Sequence, residues 1–186
     1  MIYLFLADGC EEVEALTTLD LLRRASVDVQ TVSIMGRKNV VGSHNIEILA
    51  DIIFEDLSGI TDHMDSVPML ILPGGMPGTK HLAAHEGLQA LIRKQAERGG
   101  YLAAICAAPT VYGEMGLLAG RQATCYPGME DGLKGALLST ESVVADGNYI
   151  TSRGLGTAID FGLKLIEILK GKELADDIAD KIVYHA

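Results

Sequence analysis

Two rhythms of hydrophobic residues alternate along this chain. The first is a short unbroken apolar run, as in Ile2-Tyr3-Leu4-Phe5-Leu6-Ala7, Met69-Leu70-Ile71-Leu72 and Tyr101-Leu102-Ala103-Ala104-Ile105. Runs of this length, bounded by Gly, Pro or Asp, predict strands covered on both faces, as in a parallel sheet. The second rhythm has the helical period. Ala15, Leu16, Leu19, Leu22 and Ala25 predict a helix over 11–26 with acids in its first turn. Leu88, Leu91, Ile92 and Gln95 share one face of a helix over 86–98. Between these, Val27, Val29, Thr31 and Ser33 alternate with Asp28 and Gln30 in a further strand, which closes a βαβ unit over 2–33.

The remaining pattern is finer grained. Val40-Val41 and Ile46 to Leu49 predict short strands with His44 in the turn between them, and the acidic stretch 54–66 predicts a short helix plus loop. Residues 121–125 are a strand candidate ended by Tyr126-Pro127-Gly128. Ser142 to Ala145 and Asn148 to Thr151 flank Asp146-Gly147, a two-residue hairpin signal. Helices over 157–170 and 172–184 follow, separated by Gly171. No repeat or linker interrupts the chain, so 1–186 reads as one α/β domain, a doubly wound sandwich with a small antiparallel hairpin.

Candidate chemistry gathers where apolar runs end. Gly99-Gly100 opens the run 101–105, Cys106 closes it, and Pro109 suits the first turn of a helix. A reactive side chain between strand and helix sits on a sharp turn that needs small neighbours. Ala104 and Ala108 supply them, in parallel with the G-x-S-x-G nucleophile elbow. A helix N-terminus beside a thiol favours the thiolate. A small buried core cysteine fits the same position, and the elbow alone does not separate the two. Pro73-Gly74-Gly75-Met76-Pro77-Gly78 follows another run; it lacks G-x-G-x-x-G and a phosphate-binding Lys. A ligand-facing turn and a plain tight turn both fit it. Glu14 lies one turn into the first helix, where a carboxylate stabilised by the helix dipole is the ordinary reading.

Charge and cysteine content narrow the class. Asp and Glu outnumber Lys and Arg by 25 to 15 over 186 residues, a net charge of −10, which argues against nucleic acid and anionic membrane as partners. No apolar run approaches the ~20 residues of a membrane span. The first residues lack a basic segment, and Asp8 and Glu11 come too early for a signal peptide. Cys10, Cys106 and Cys125 are an odd number without metal-ligand spacing, so reduced thiols in a cytoplasmic protein are expected, with no metal.

Four motifs in order extend these readings: Gly9-Cys10-Glu11-Glu12-Val13-Glu14, Leu72-Pro73-Gly74-Gly75, Ala103-Ala104-Ile105-Cys106-Ala107-Ala108-Pro109, and Thr151-Ser152-Arg153-Gly154-Leu155-Gly156-Thr157. Together they resemble the ThiJ/PfpI superfamily over essentially the whole chain, and within it the branch of the Parkinsonism-associated deglycase and its bacterial relatives. The resemblance implies a flavodoxin-like homodimer without a cofactor. Cys106 is then an acidic, easily oxidised nucleophile, and Glu14 a protonated partner that donates to its thiolate. The N–H groups of Gly75 and Ala107 form an oxyanion hole, and Tyr126, Gly74 and Arg153 line the pocket.

Departures from that pattern matter. Tyr126 stands where related chains usually carry a His beside the nucleophile, and His44 where an Arg is common at the dimer contact. Protease-like members have His after the nucleophile; here it is Ala107, which weakens an amidase or peptidase reading. His63, His81, His85 and His185 lie in polar contexts and read as solvated surface residues. The implied chemistry acts on a small aldehyde or dicarbonyl: glyoxalase or deglycase-type conversion of methylglyoxal to lactate through a Cys106 hemithioacetal. A thiol redox sensor or redox-linked chaperone, with Cys106 oxidised to sulfinic acid, uses the same residues.

Overall fold

The unbroken apolar runs become the inner strands of a sheet that is packed on both faces. The computed structural model describes residues 1–57 and 66–184. In chain order its elements are β1 (Ile2–Leu6), α1 (Glu12–Arg24), β2 (Val29–Ser33), β3 (Asn39–Val41), β4 (Glu47–Leu49), β5 (Ile52–Ile53), β6 (Met69–Leu72), α2 (Gly78–Ala84), α3 (Glu86–Glu97) and β7 (Tyr101–Ile105). Then come α4 (Pro109–Glu114), β8 (Gln122–Ala123), β9 (Leu137–Leu138), β10 (Val143–Asp146), β11 (Tyr149–Ser152), α5 (Ala158–Lys170) and α6 (Lys172–Lys181). The central sheet has the order β10-β11-β7-β6-β1-β2-β5. Every pairing in it is parallel except the β10–β11 hairpin.

Strand alternation divides the apolar runs between two cores. Ile2, Leu4 and Leu6 of β1, with Met69 and Ile71 of β6, pack on the side of α1 and α5 against Leu22, Phe161 and Leu165. Tyr3, Phe5, Leu70 and Leu72 point the other way, onto Leu88, Leu91 and Ile92 of α3 and Tyr112 of α4. This is the flavodoxin-like three-layer α/β/α arrangement. The chain runs from β1 to β2 and β5 on one side, then returns to β6, β7 and β11 on the other. That reversal leaves a crevice at the carboxyl ends of β1 and β6, where such sheets bind ligands.

Several expectations change in detail. Glu11 caps α1 and is not its first helical residue, and the last helix ends at Lys181. The strand candidate at 121–125 shrinks to β8, which pairs with β9 in a separate two-stranded sheet. The helix α2 starts at Gly78, the last residue of the predicted glycine turn, and carries the buried Thr79 and Leu82 at helical spacing. Phe54–Leu57 forms a short 3₁₀ turn; the loop expected after it, with His63, lies outside the described residues, as does His185. His81 and His85 are half-buried and structural, not solvated. His81 Nδ1 lies 2.9 Å from the Asp8 carbonyl, and His85 accepts from Leu88 N to cap α3 while its ring stands edge-on to Phe54. Among the described residues no helix is long and apolar enough to cross a membrane.

One buried hydrogen bond ties the helix after the elbow to the strand before it. Tyr112 of α4, fully buried, donates its phenol to the Ala103 carbonyl of β7 at 3.1 Å. Tyr112→Phe keeps the ring and removes that bond, so urea unfolding is expected to show a loss of about 1 kcal/mol with an unchanged slope.

Candidate active site

Cys106 is held in a conformation that side chains seldom adopt. It follows β7 directly with φ +65°, and its neighbours Ala104 and Ala108 are fully buried. A non-glycine residue in this region costs on the order of 1–2 kcal/mol, which the surrounding bonds must outweigh. Cys106 N donates to the Ser152 carbonyl at 2.9 Å, and Tyr126 N donates to the Cys106 carbonyl at 2.8 Å. The elbow read from sequence is therefore present. The α4 N-terminus contributes less than expected, because the helix has six residues and begins with Pro109, which has no N–H. Two loop amides act in its place: the N–H groups of Gly75 and Ala107 pull the Cys106 thiol down against burial.

Glu14 reaches the same point from the first turn of α1. It is 1 % exposed, accepts from Gly74 N at 3.0 Å, and lies beside Cys106 across the bare Cα of Gly74. Glu11, which the sequence reading left without a role, closes this circuit. Its Oε2 accepts from Glu14 N at 2.7 Å, and its own N–H donates to the Gly74 carbonyl at 2.9 Å. The signal was available: an acid three residues before another at a helix start is the spacing of a reciprocal cap. Gly74 is required to be glycine here. A Cβ on it would lie 2.5 Å from Cys106 Cβ and 2.7 Å from Glu14 Oε2.

Burial decides the electrostatics of the pair. It pushes the Glu14 carboxyl up to about 7, with the charge of Glu11 adding and the bonds from Cys106 and Gly74 opposing. Burial and an ionised Glu14 together push the Cys106 thiol up to about 12, against the pull of the Gly75 and Ala107 amides. The acidic thiol expected from the resemblance is therefore not a property of Cys106 by itself. Two negative charges in so small a buried space are disfavoured, so the pair keeps at least one proton at neutral pH. With that proton on Glu14, the sulfur is a thiolate facing three donors. Cys10 and Cys125 are buried, and burial pushes them to about 12 and 11, so Cys106 is the accessible thiol of the three.

The rim is mixed. Tyr126 is 51 % exposed, and a methyl group built on Gly154 would lie 3.4 Å from its ring and 3.9 Å from Glu14 Oε1. Tyr126 and Glu14 thus face the same flank. Arg153 does not bring its guanidinium to the pair: Nη1 donates to the Thr140 carbonyl at 2.9 Å, in an exposed bond. Glu11, Glu12 and His44 place possible metal-ligand atoms within 4.8 Å of one another. Their oxygens are already engaged, however. Glu12 accepts from His44 N at 2.6 Å and lies 2.8 Å from His44 Nδ1, while Glu11 caps α1. Against the pull of burial, the His44 bonds hold Glu12 down to about 2, and Glu12 in turn raises His44.

The position of Glu14 has a consequence for stability. Its folded value of about 7 lies above the ordinary 4.5, so the fold favours the protonated form. That contribution is complete below pH 4.5 and is lost as pH rises through 7, a swing of about 3 kcal/mol. Glu14→Gln does not titrate. Urea unfolding at pH 4 and pH 8 is therefore expected to show the stability difference moving by that amount in favour of the variant at pH 8. A difference that stays flat with pH would contradict the burial penalty.

Comparison with known proteins agrees with this architecture. Drosophila melanogaster protein dj-1beta is 38% identical over 176 residues, covering 94% of this chain and 91% of that protein. The Caenorhabditis elegans glutathione-independent glyoxalase DJR-1.2 is 32% identical over 173 residues, covering 92% and 89%. Arabidopsis thaliana DJ-1 homolog B is 38% identical, but the chain spans only 40% of its length. The structure of oxidised Toxoplasma gondii DJ-1 superposes with a TM-score of 0.91 at 32% identity, over 100% of this chain and 98% of that one. The DJ-1/PfpI family profile matches residues 1–168. On these matches the chain belongs to the DJ-1/PfpI family and groups with its DJ-1 branch.

Proposed function

We propose that the protein is a cofactor-independent glyoxalase of the deglycase type, converting methylglyoxal and water to lactate. One observation carries the reading: a buried Glu14 carboxyl, which burial pushes up, meets the one partly exposed thiol, Cys106, at the bare Cα of Gly74. The thiolate adds to the aldehyde carbon, and protonated Glu14 gives its proton to the aldehyde oxygen, which leaves a hemithioacetal and a Glu14 carboxylate. That carboxylate removes the hydrogen from the same carbon to give an enediolate and returns the proton to the adjacent carbon, while the hydroxyl proton of the first carbon passes to the oxygen of the second, giving a thioester of lactate. Water then cleaves the C–S bond, releasing lactate and returning the sulfur. The Gly75 and Ala107 amides hold the oxyanion of thioester hydrolysis. The glyoxalase relative from Caenorhabditis elegans supports this class of reaction.

The thiol-sensor reading draws support from the oxidised Toxoplasma gondii relative, and the two readings part at turnover. The pure protein is expected to consume methylglyoxal without added thiol. Glu14→Gln is expected to keep Cys106 alkylation and lose ~10²–10⁴-fold in kcat/KM. A wild-type protein that oxidises at Cys106 and makes no lactate supports the sensor.

We also propose a homodimer, formed by the face that joins α1 to the β3–β4 hairpin. Val13 and Leu16 lie one turn apart on α1, and Ile46 and Leu49 project from the hairpin; Leu49 is 71 % exposed. The His44–Glu12 bond fastens hairpin to helix, so these apolar residues belong to one rigid surface. Sedimentation at micromolar concentration is expected to give a dimer for wild type and a monomer for Leu49→Glu.

A further inference from the structure

Two carboxylates lie buried side by side at the root of the β3–β4 hairpin, and one imidazole faces them both. Glu11 is 8 % exposed and Glu12 2 %, whereas His44, on the hairpin turn, is open to solvent. Among the described residues neither acid pairs with a Lys or Arg; each has only His44, which is charged only when protonated. Two adjacent buried anions with so little positive charge opposite them suit a divalent cation.

The hydrogen bonds already described leave one ligand atom over. Glu12 is fully used, Oε1 on His44 N and Oε2 beside His44 Nδ1. Glu11 caps α1 with Oε2 alone. Its Oε1 makes no hydrogen bond among the described residues and lies 3.8 Å from His44 Nδ1. Ser43 Oγ stands on the other side, 3.1 Å from Nδ1 and 3.3 Å from Glu12 Oε2. With the 2.8 Å between Nδ1 and Glu12 Oε2, the separations run from 2.8 to 3.8 Å. Ligand atoms about 2.0–2.1 Å from a tetrahedral zinc ion lie about 3.3 Å apart, the middle of that range. A metal ion that takes the place of the proton on Nδ1 binds the same two atoms and gives Glu11 Oε1 a partner.

The frame that holds these atoms is stiff. Ser43 N donates to the Cys10 carbonyl at 2.8 Å, and Glu11 N to the Gly74 carbonyl at 2.9 Å. The hairpin backbone rests on the acid so closely that a Cβ on Gly42 would collide with the Glu12 carboxylate. An imidazole among the ligands selects against calcium and magnesium, which prefer all-oxygen shells. The expectation of no metal came from the spacing of the cysteines; these ligands are oxygen and nitrogen, brought together by the hairpin.

We propose that Glu11, Glu12 and His44, with Ser43 or a water as fourth ligand, form a zinc site that clamps the β3–β4 hairpin to the start of α1. The site does not depend on the glyoxalase reading, and Cys106 is not a ligand. Zinc affinity is measured on the intact chain by competition with a chromophoric chelator, in wild type, Cys106→Ala, His44→Arg and Glu11→Gln. His44→Arg keeps a cation against Glu12 but offers no lone pair, and Glu11→Gln keeps an oxygen to cap α1. Thermal melts without zinc check that each variant folds. His44 is largely exposed, so His44→Arg decides alone if Glu11→Gln does not fold.

Wild type and Cys106→Ala are expected to bind one zinc ion equally well. His44→Arg and Glu11→Gln are each expected to weaken binding by more than about tenfold, the least that loss of a supporting partner costs a metal site. Zinc is expected to raise the Tm of wild type and not of His44→Arg, while magnesium and calcium raise neither. Cobalt in place of zinc is expected to give the intense visible band of a tetrahedral site, without charge transfer from a thiolate. Loss of zinc in Cys106→Ala puts the ion at the thiol and overturns the proposal. So does a wild type that binds no zinc, or a folded His44→Arg or Glu11→Gln that binds it as wild type does. An equal rise in Tm with magnesium overturns the assignment to zinc.

Discussion

Three segments remote in sequence meet at Gly74, and the rest of the site depends on how closely they meet. Its amide holds Glu14, its carbonyl holds the amide of Glu11, the cap of α1, and its bare Cα lets the Cys106 side chain come within contact. Any side chain here would push the acid and the thiol apart. The sheet supplies the approach, since β1, β6 and β7 are adjacent and parallel and deliver their carboxyl-end loops to one place. Fold and chemistry are coupled at this residue through sterics before any charge is considered.

Once the groups are together, burial does the electrostatic work. The same exclusion of water that raises Glu14 also raises Cys106, so neither group is activated alone. The two groups titrate as a pair, and the position of the proton decides which member carries the charge. Short-range amides from Gly75 and Ala107 favour negative charge on sulfur, and a single amide from Gly74 favours it on the carboxylate. A long helix dipole, suggested by the elbow motif, is not needed.

The apolar runs made the inner strands legible, because a strand buried on both faces has no polar residue to disguise it. Leu70 and Ile71, which face opposite cores, show the same hydrophobic character in sequence. Cys106 and Gly74 were legible for the opposite reason, since each breaks the local pattern at the end of a run. The short pieces were not. β5, β8 and β9 have two residues each, too few for a periodic signal, and α2 was masked by Pro77-Gly78, residues that mark turns as often as helix starts. The local cap from Glu11 to the Glu14 amide was open to the sequence, but its second partner, Gly74, becomes a neighbour only on folding. Arg153 was misplaced because a motif fixes a backbone position but not where a long flexible side chain ends.

The backbone of Cys106 is tethered in both directions, through its amide to Ser152 and through its carbonyl to the amide of Tyr126. A residue anchored at both ends cannot move toward an incoming molecule. Its sulfur can swing only about a single side-chain torsion, along an arc fixed by the sheet. Bond formation at that sulfur therefore requires the incoming molecule to turn and present its carbon along the arc. The protein acts as the stationary jaw of a vice, and adaptability in the encounter must reside in the small molecule.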